Sequence, residues 1–109
     1  MNLINRGFIS VKPSNLFIQW AHQYDKNLIF SQNAEATIYL IEEDFWDDEI
    51  LIKKYANYIA FNEFNSLGVL PSNWPKEFNL NSIAEWFDCQ LGCTCIDLID
   101  LPITKEAIN

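Results

Sequence analysis

The chain has 109 residues, half of them hydrophobic and 15% aromatic, which fits one ordinary folded domain and excludes a largely disordered chain. Fifteen acidic against seven basic side chains give a formal charge of −8, which argues against binding to nucleic acid or to an anionic membrane surface. The sequence has no apolar run of membrane-spanning length and no secretory signal pattern. We therefore expect a single cytoplasmic domain over residues 1–109, with its ordered core at about 7–102.

The first predicted strand is GFISVKP, residues 7–13, where β-branched and aromatic residues precede a proline. Ser14 is suited to cap a following helix, because its hydroxyl can accept from a free amide of the first turn. Four apolar residues then recur at helical spacing and predict a buried stripe, with the helix ending near residues 25–27. They are Phe17, Trp20, Ala21 and Tyr24. Residues 28–30 fit either a loop or a short extended piece.

The second predicted strand is ATIYLIEE, residues 36–43, whose continuous apolar run predicts a central strand covered on both faces. A long helix follows within residues 44–68, with Asp44 or Asp47 as its cap and Gly68 as its stop. Its apolar face is broad, so the helix either touches two elements of its own domain or presents part of that face to a partner. The stripe consists of Ile52, Tyr55, Ala56, Ile59, Ala60 and Glu63, widened by Leu51, Tyr58 and Phe61.

Residues 69–79 form a proline-punctuated loop, after which Asn79 is placed to cap a third helix that ends before Gly92. A last strand is predicted over residues 93–102. The order is β-α-β-α-α-β, and we predict an α+β fold in which about three helices pack on a three-stranded sheet. A parallel first β-α-β unit would be right-handed, and the strand order stays open.

All three cysteines, Cys89, Cys93 and Cys95, fall between the third helix and the last strand. Three thiols and His22, the single histidine, make an allowed zinc set, but C-x3-C-x-C lacks the paired spacing of structural zinc motifs. A redox pair would need C-x-x-C near a helix N-terminus. We favour structural thiols and expect no cofactor. We expect no enzyme activity either, because phosphate-loop, GxSxG and HExxH motifs are missing.

Six acidic side chains lie within residues 42–49, at the corner between the second strand and the long helix. They can simply be solvated beside the positive end of the helix dipole. They can also form a docking surface, since charge steers a partner and neighbouring aromatic rings anchor it. The alternative for the two tryptophans of this set is packing on the core. The candidate partner-binding residues are Glu42, Glu43, Asp44, Phe45, Trp46, Asp47, Asp48, Glu49 and Trp74.

Three phrases carry a family resemblance: VKPSNLFIQWAHQYD (11–25), TIYLIEE (37–43) and WPKEFNLNSIAEWFD (74–88). Over most of residues 8–100 the chain resembles a family of small, acidic, uncharacterised bacterial proteins. Their pattern has an F-x-x-W helix, a V/I-Y-L-I strand and a W-P loop before an E-W-F-D helix. The resemblance implies a bacterial cytoplasmic domain and assigns no activity and no functional residue.

The sequence thus favours a small non-enzymatic module that binds another protein through an acidic, aromatic-bearing surface. A narrower alternative is a stoichiometric inhibitor or immunity protein that masks a basic site on a toxin or a nucleic-acid-binding protein. A second alternative is a metal-binding protein that uses the cysteine cluster. The expected partner is a protein with a basic surface, and neither nucleic acid nor a membrane is expected to bind directly.

Overall fold

The computed structural model describes residues 1–28 and 35–108, and Ile29 and Phe30 of the ambiguous segment lie outside this range. The described residues form an α+β fold with three α-helices and five strands in two small antiparallel sheets. The strands are β1 (Asn2–Ile4), β2 (Gly7–Pro13), β3 (Thr37–Ile41), β4 (Phe87–Gly92) and β5 (Cys95–Asp97). The helices are α1 (Asn15–Tyr24), α2 (Asp48–Asn65) and α3 (Ile83–Trp86), with short 3-10 turns at Pro71–Asn73 and Leu80–Ser82. No described helix is both long enough and apolar enough to cross a membrane.

The main sheet has the order β3-β2-β4, with both pairs antiparallel. The predicted central position of the 37–41 strand is therefore wrong, because β3 is an edge strand and β2 is central. Ile9 of β2 lies between Tyr39 and Leu91. A continuous apolar run cannot distinguish a strand covered on both faces from an edge strand with an open apolar face. The antiparallel pairing of β2 with β3 also excludes a parallel β-α-β unit.

The two faces of the sheet differ in burial. Alternate residues of β2, namely Gly7, Ile9 and Val11, are buried on the face that meets the helices. The opposite face is open, and Ile38 and Leu40 of β3 are each more than half exposed there. The three described helices thus cover one side of the sheet.

Helix α1 begins as predicted, with the Ser14 hydroxyl accepting from the amide of Phe17. The same hydroxyl donates to the carbonyl of Trp86 at 2.7 Å, which ties the start of α1 to the end of α3. Phe17 and Ala21 of the predicted stripe are buried. Tyr24 is half exposed and stacks on Trp20, so it lies at the margin of the core.

Helix α2 provides the centre of the core. Phe64 is fully buried and lies within 6.0 Å, ring centroid to centroid, of five other aromatic rings. These rings belong to Phe17, Trp20, Trp74, Phe78 and Phe87. Gly68 has a φ of 75°, a left-handed conformation that glycine adopts without steric cost, three residues beyond the helix. This aromatic cluster joins α1, α2, β4 and the 69–79 loop.

The predicted third helix is too long. Asn79 does form a capping box with Ser82, but the α-helix ends at Trp86 and β4 occupies residues 87–92. Phe87 has extended backbone angles and pairs with Pro13 of β2. The alternation of apolar residues at 87, 89 and 91 matches a strand, and pairing with β2 prevails over the helical spacing of the preceding residues.

The predicted last strand, residues 93–102, is also wrong in extent and in partner. Only Cys95–Asp97 form a strand, and it pairs with β1, which the sequence reasoning did not find. Residues 98–108 continue as an exposed chain without regular structure. The third strand of the main sheet is β4.

Candidate binding surface

The acidic run, residues 42–49, lies where β3 ends and α2 begins, and we call it the acidic corner. Glu42 is its anchored member: Lys54 Nζ donates to Glu42 Oε2 at 2.7 Å and Tyr55 Oη donates to Oε1 at 2.6 Å. The hydrogen bonds from these two groups, with a backbone bond, lower the pKa of Glu42 to about 2. This is the single ion pair within residues 1–28 and 35–108.

The second half of the acidic corner begins α2. Asp47 is the N-cap, and its Oδ1 accepts from the amides of Glu49 and Ile50 at 2.9 and 3.2 Å. Asp48 and Glu49 occupy the first turn, where the helix dipole favours negative charge. Asp47, Asp48 and Glu49 therefore stabilise the start of α2.

The two aromatic residues of the acidic corner are placed differently. Phe45 packs on the core, and its Cε1 would lie only 3.2 Å from a Cβ added at Gly7. Trp46 is fully exposed. Phe45 thus fixes the loop against the sheet and leaves the neighbouring indole of Trp46 in solvent.

Trp74, the other candidate anchor, lies away from the acidic corner. Its ring stacks on Phe64 with centroids 4.9 Å apart and meets Phe78 edge to face. The indole nitrogen is buried and has no hydrogen-bond partner among the described residues. Trp74 therefore packs on the core, and of the two tryptophans only Trp46 offers its ring to a partner.

A groove runs from the acidic corner along the free edge of β3, and we call it the edge groove. It consists of two adjoining cavities, each of about 310 Å³, that share Tyr39 and Tyr58. Residues from both faces of β3 line it, including Ile38 and Leu40 from the open face, so the groove lies along the strand edge. The lining residues from α2 are Tyr55, Tyr58, Ile59, Phe61, Asn62 and Asn65.

A hydrogen-bonded network fixes the floor of the edge groove. Tyr39 Oη donates to Glu63 Oε2 at 2.6 Å and accepts from Asn62 Nδ2 at 2.9 Å. Burial raises the pKa of Glu63, and burial together with the Glu63 carboxylate raises the pKa of Tyr39. The network joins β3 to α2, so the two walls of the edge groove keep a fixed separation.

The cysteines do not form a site together with His22. Cys89 lies within β4, Cys93 in the exposed turn that follows, and Cys95 in β5. Burial, reinforced by the carboxylates of Asp88 and Glu63, raises the pKa of Cys89 to about 11. His22 is on α1, with Nε2 2.9 Å from the carbonyl oxygen of Leu28. Within residues 1–28 and 35–108, no cluster of three or more His, Cys, Asp or Glu side chains could hold a metal ion.

The edge groove was missed by sequence reasoning, although one signal pointed to it. The wide apolar face of α2 required either a second internal contact or a partner. Leu51 is buried and supplies the internal contact, whereas Tyr58 is 72% exposed and Phe61 about half exposed. The position of β3 at the sheet edge, which places it beside these two rings, depends on long-range strand pairing.

Comparison of the chain with family models, with curated proteins and with solved structures found no match. The acidic corner and the edge groove are thus the features on which a functional proposal depends.

Proposed function

We propose that this chain is a non-enzymatic binding module, which recognises a basic surface of another protein through its acidic corner. The supporting observation is the fully exposed ring of Trp46, which has acidic residues on both sides in the sequence and lies on a loop that Phe45 anchors to the core. Tryptophan is highly buried on average, and exposed aromatic rings beside charge are typical of interface anchors.

The charges of the acidic corner fit this role. Glu42 already has Lys54 as its partner and Asp47 caps α2, but Glu43 and Asp44 are exposed and take no part in the ion pair or the cap. Carboxylates of this kind attract a cationic partner before contact and raise the association rate. A formal charge of −8 supplies the same attraction over a longer range.

The test is affinity isolation from a bacterial lysate with four baits, followed by titration of each recovered protein with the purified chain. The baits are the wild type, Trp46→Ala, the double variant Glu43→Gln/Asp44→Asn, and Ile50→Ala as a control. Ile50 is an exposed apolar residue of α2 that lies outside the edge groove. We expect a basic protein that the wild type and Ile50→Ala retain and that the other two variants lose.

Titration should show one-to-one binding that weakens as salt rises, because exposed charges are screened beyond about 10 Å at 0.1 M salt. Recovery of a toxin or a nucleic-acid-binding protein whose activity the chain blocks would establish the narrower role of inhibitor. Equal recovery by Trp46→Ala and the wild type would refute the proposal, as would a partner that binds equally well at low and high salt.

A further inference from the structure

Strand β3 has one paired edge and one free edge among the described residues. It pairs with β2 alone, so alternate residues of Thr37–Ile41 direct their backbone N–H and C=O groups away from the sheet. An edge of this kind can pair with an extended segment of another chain. Five residues at about 3.3 Å each make an edge roughly 16 Å long.

The edge strands β3 and β4 differ in how they are protected. Strand β4 carries Asp88, whose exposed carboxylate discourages pairing, whereas TIYLI of β3 carries no charge. The edge groove lies beside β3, where Tyr58 and Phe61 of α2 present exposed rings. The free backbone edge and an apolar surface for side chains thus occur together at β3.

We infer that an extended, lysine- or arginine-bearing segment of the partner protein adds to β3 as a fourth strand of the main sheet. One face of that strand packs on Tyr58 and Phe61, and the other extends the open face at Ile38 and Leu40. Basic residues at one end of the segment reach the acidic corner. This inference rests on the proposed function, because it takes its basic partner from the acidic corner, and it adds the mode of recognition.

Two observations favour such a segment over a second copy of this chain. Each copy carries a formal charge of −8, so net charge repulsion opposes a β3–β3 contact between two copies. In addition, Ile108 lines the far end of the edge groove from a stretch without regular structure, so an aliphatic side chain fits there. Ile108 itself remains 83% exposed, so it covers little of the edge groove.

The experiment uses the full chain and fluorescent synthetic peptides. The probe is KKTVTVTVKK, which alternates side chains as a strand does and carries lysines at both ends. One control peptide has glutamates in place of the lysines. A second keeps every side chain but is N-methylated at its central residues, which removes the N–H groups that strand pairing requires. Binding is followed by fluorescence anisotropy, and the β3 amides by hydrogen exchange.

We expect the lysine peptide to bind with a Kd below about 1 mM and both control peptides to bind at least about tenfold more weakly. Tyr58→Ala should weaken binding by about fivefold or more, as truncation of an interface anchor does, while Ile50→Ala should bind as the wild type. Exchange of the β3 amides should slow about tenfold at saturation, with the β4 amides unchanged.

Equal binding of the N-methylated peptide, or no protection of β3, would overturn strand addition and leave the proposed function standing if charge still controls affinity. Equal binding of the glutamate peptide would refute the charge-based function and leave strand addition standing. A β3–β3 dimer of the free chain, found by light scattering and by protection of β3 without peptide, would show that a second copy occupies the edge.

Discussion

The replacement Phe64→Ala tests the packing of α2 most directly. Phe64 is fully buried among five aromatic rings, so truncation removes its whole side chain from the centre of the core. Such a change costs about 3–5 kcal/mol of unfolding free energy, against a total of about 5–15 kcal/mol for a domain. At about 2.1 cal/mol/K of unfolding entropy per residue, a loss of 4 kcal/mol lowers Tm by roughly 17 °C.

A matched control lies one turn earlier on the same helix. Phe61 is about half exposed, so Phe61→Ala should cost about 1 kcal/mol. Urea unfolding followed by tryptophan fluorescence suits the comparison, because Trp20 and Trp74 both contact Phe64. Equal losses for the two variants, or a larger loss for Phe61→Ala, would mean that α2 presents a different face to the core.

Two carboxylates should show opposite pH dependence of stability. The pKa of Glu42 is lowered to about 2, so its stabilising effect is present above pH 4.5 and is lost as pH falls towards 2. In urea unfolding, the free energy of unfolding of the wild type should therefore fall over this pH range more than that of Glu42→Gln. The pKa of Glu63 is raised, so the free energy of unfolding of the wild type should fall as pH rises above 4.5. Glu63→Gln lacks this titrating group, so its free energy of unfolding should increase relative to that of the wild type over the same pH range. A difference between the two proteins that does not change with pH would contradict this. Cys89 should react with a disulfide reagent at pH 8 far more slowly than Cys93, since it is half buried with a pKa of about 11, and mass spectrometry of the labelled peptides gives the order. Asp47→Ala should cost about 1 kcal/mol in urea unfolding, because two amides of α2 lose their acceptor, and a loss near zero would argue against the cap.

The predictable parts of the fold are those with local causes. The strand at residues 7–13, the Ser14 cap and a cap at Asp44 or Asp47 each depend on a few neighbouring side chains. The structure confirms the strand and the Ser14 cap, and of the two aspartates it is Asp47 that caps α2. The α+β class also follows from local patterns. Side chains that act within one turn of the backbone leave a readable spacing in the sequence.

The remaining features depend on contacts between distant residues. Residues 87–91 fit both a helix and a strand, and the choice is made by pairing with β2, about 75 positions earlier. The edge position of β3 is decided in the same way, and with it the existence of the edge groove. The acidic corner was visible in the sequence as a run of charge, but the different placement of Phe45 and Trp46 was not, since adjacent aromatic residues have the same hydrophobic signature.

The central position of β2 has a consequence for the order of events during synthesis. Its second neighbour, β4, begins at residue 87, while β2 ends at residue 13. At a rate of about 5–20 residues per second, β2 is synthesised roughly 4–15 s before β4. Until β4 is made, Ile9 and Val11 have only part of their final cover, and β2 has an unpaired edge of the kind that favours aggregation.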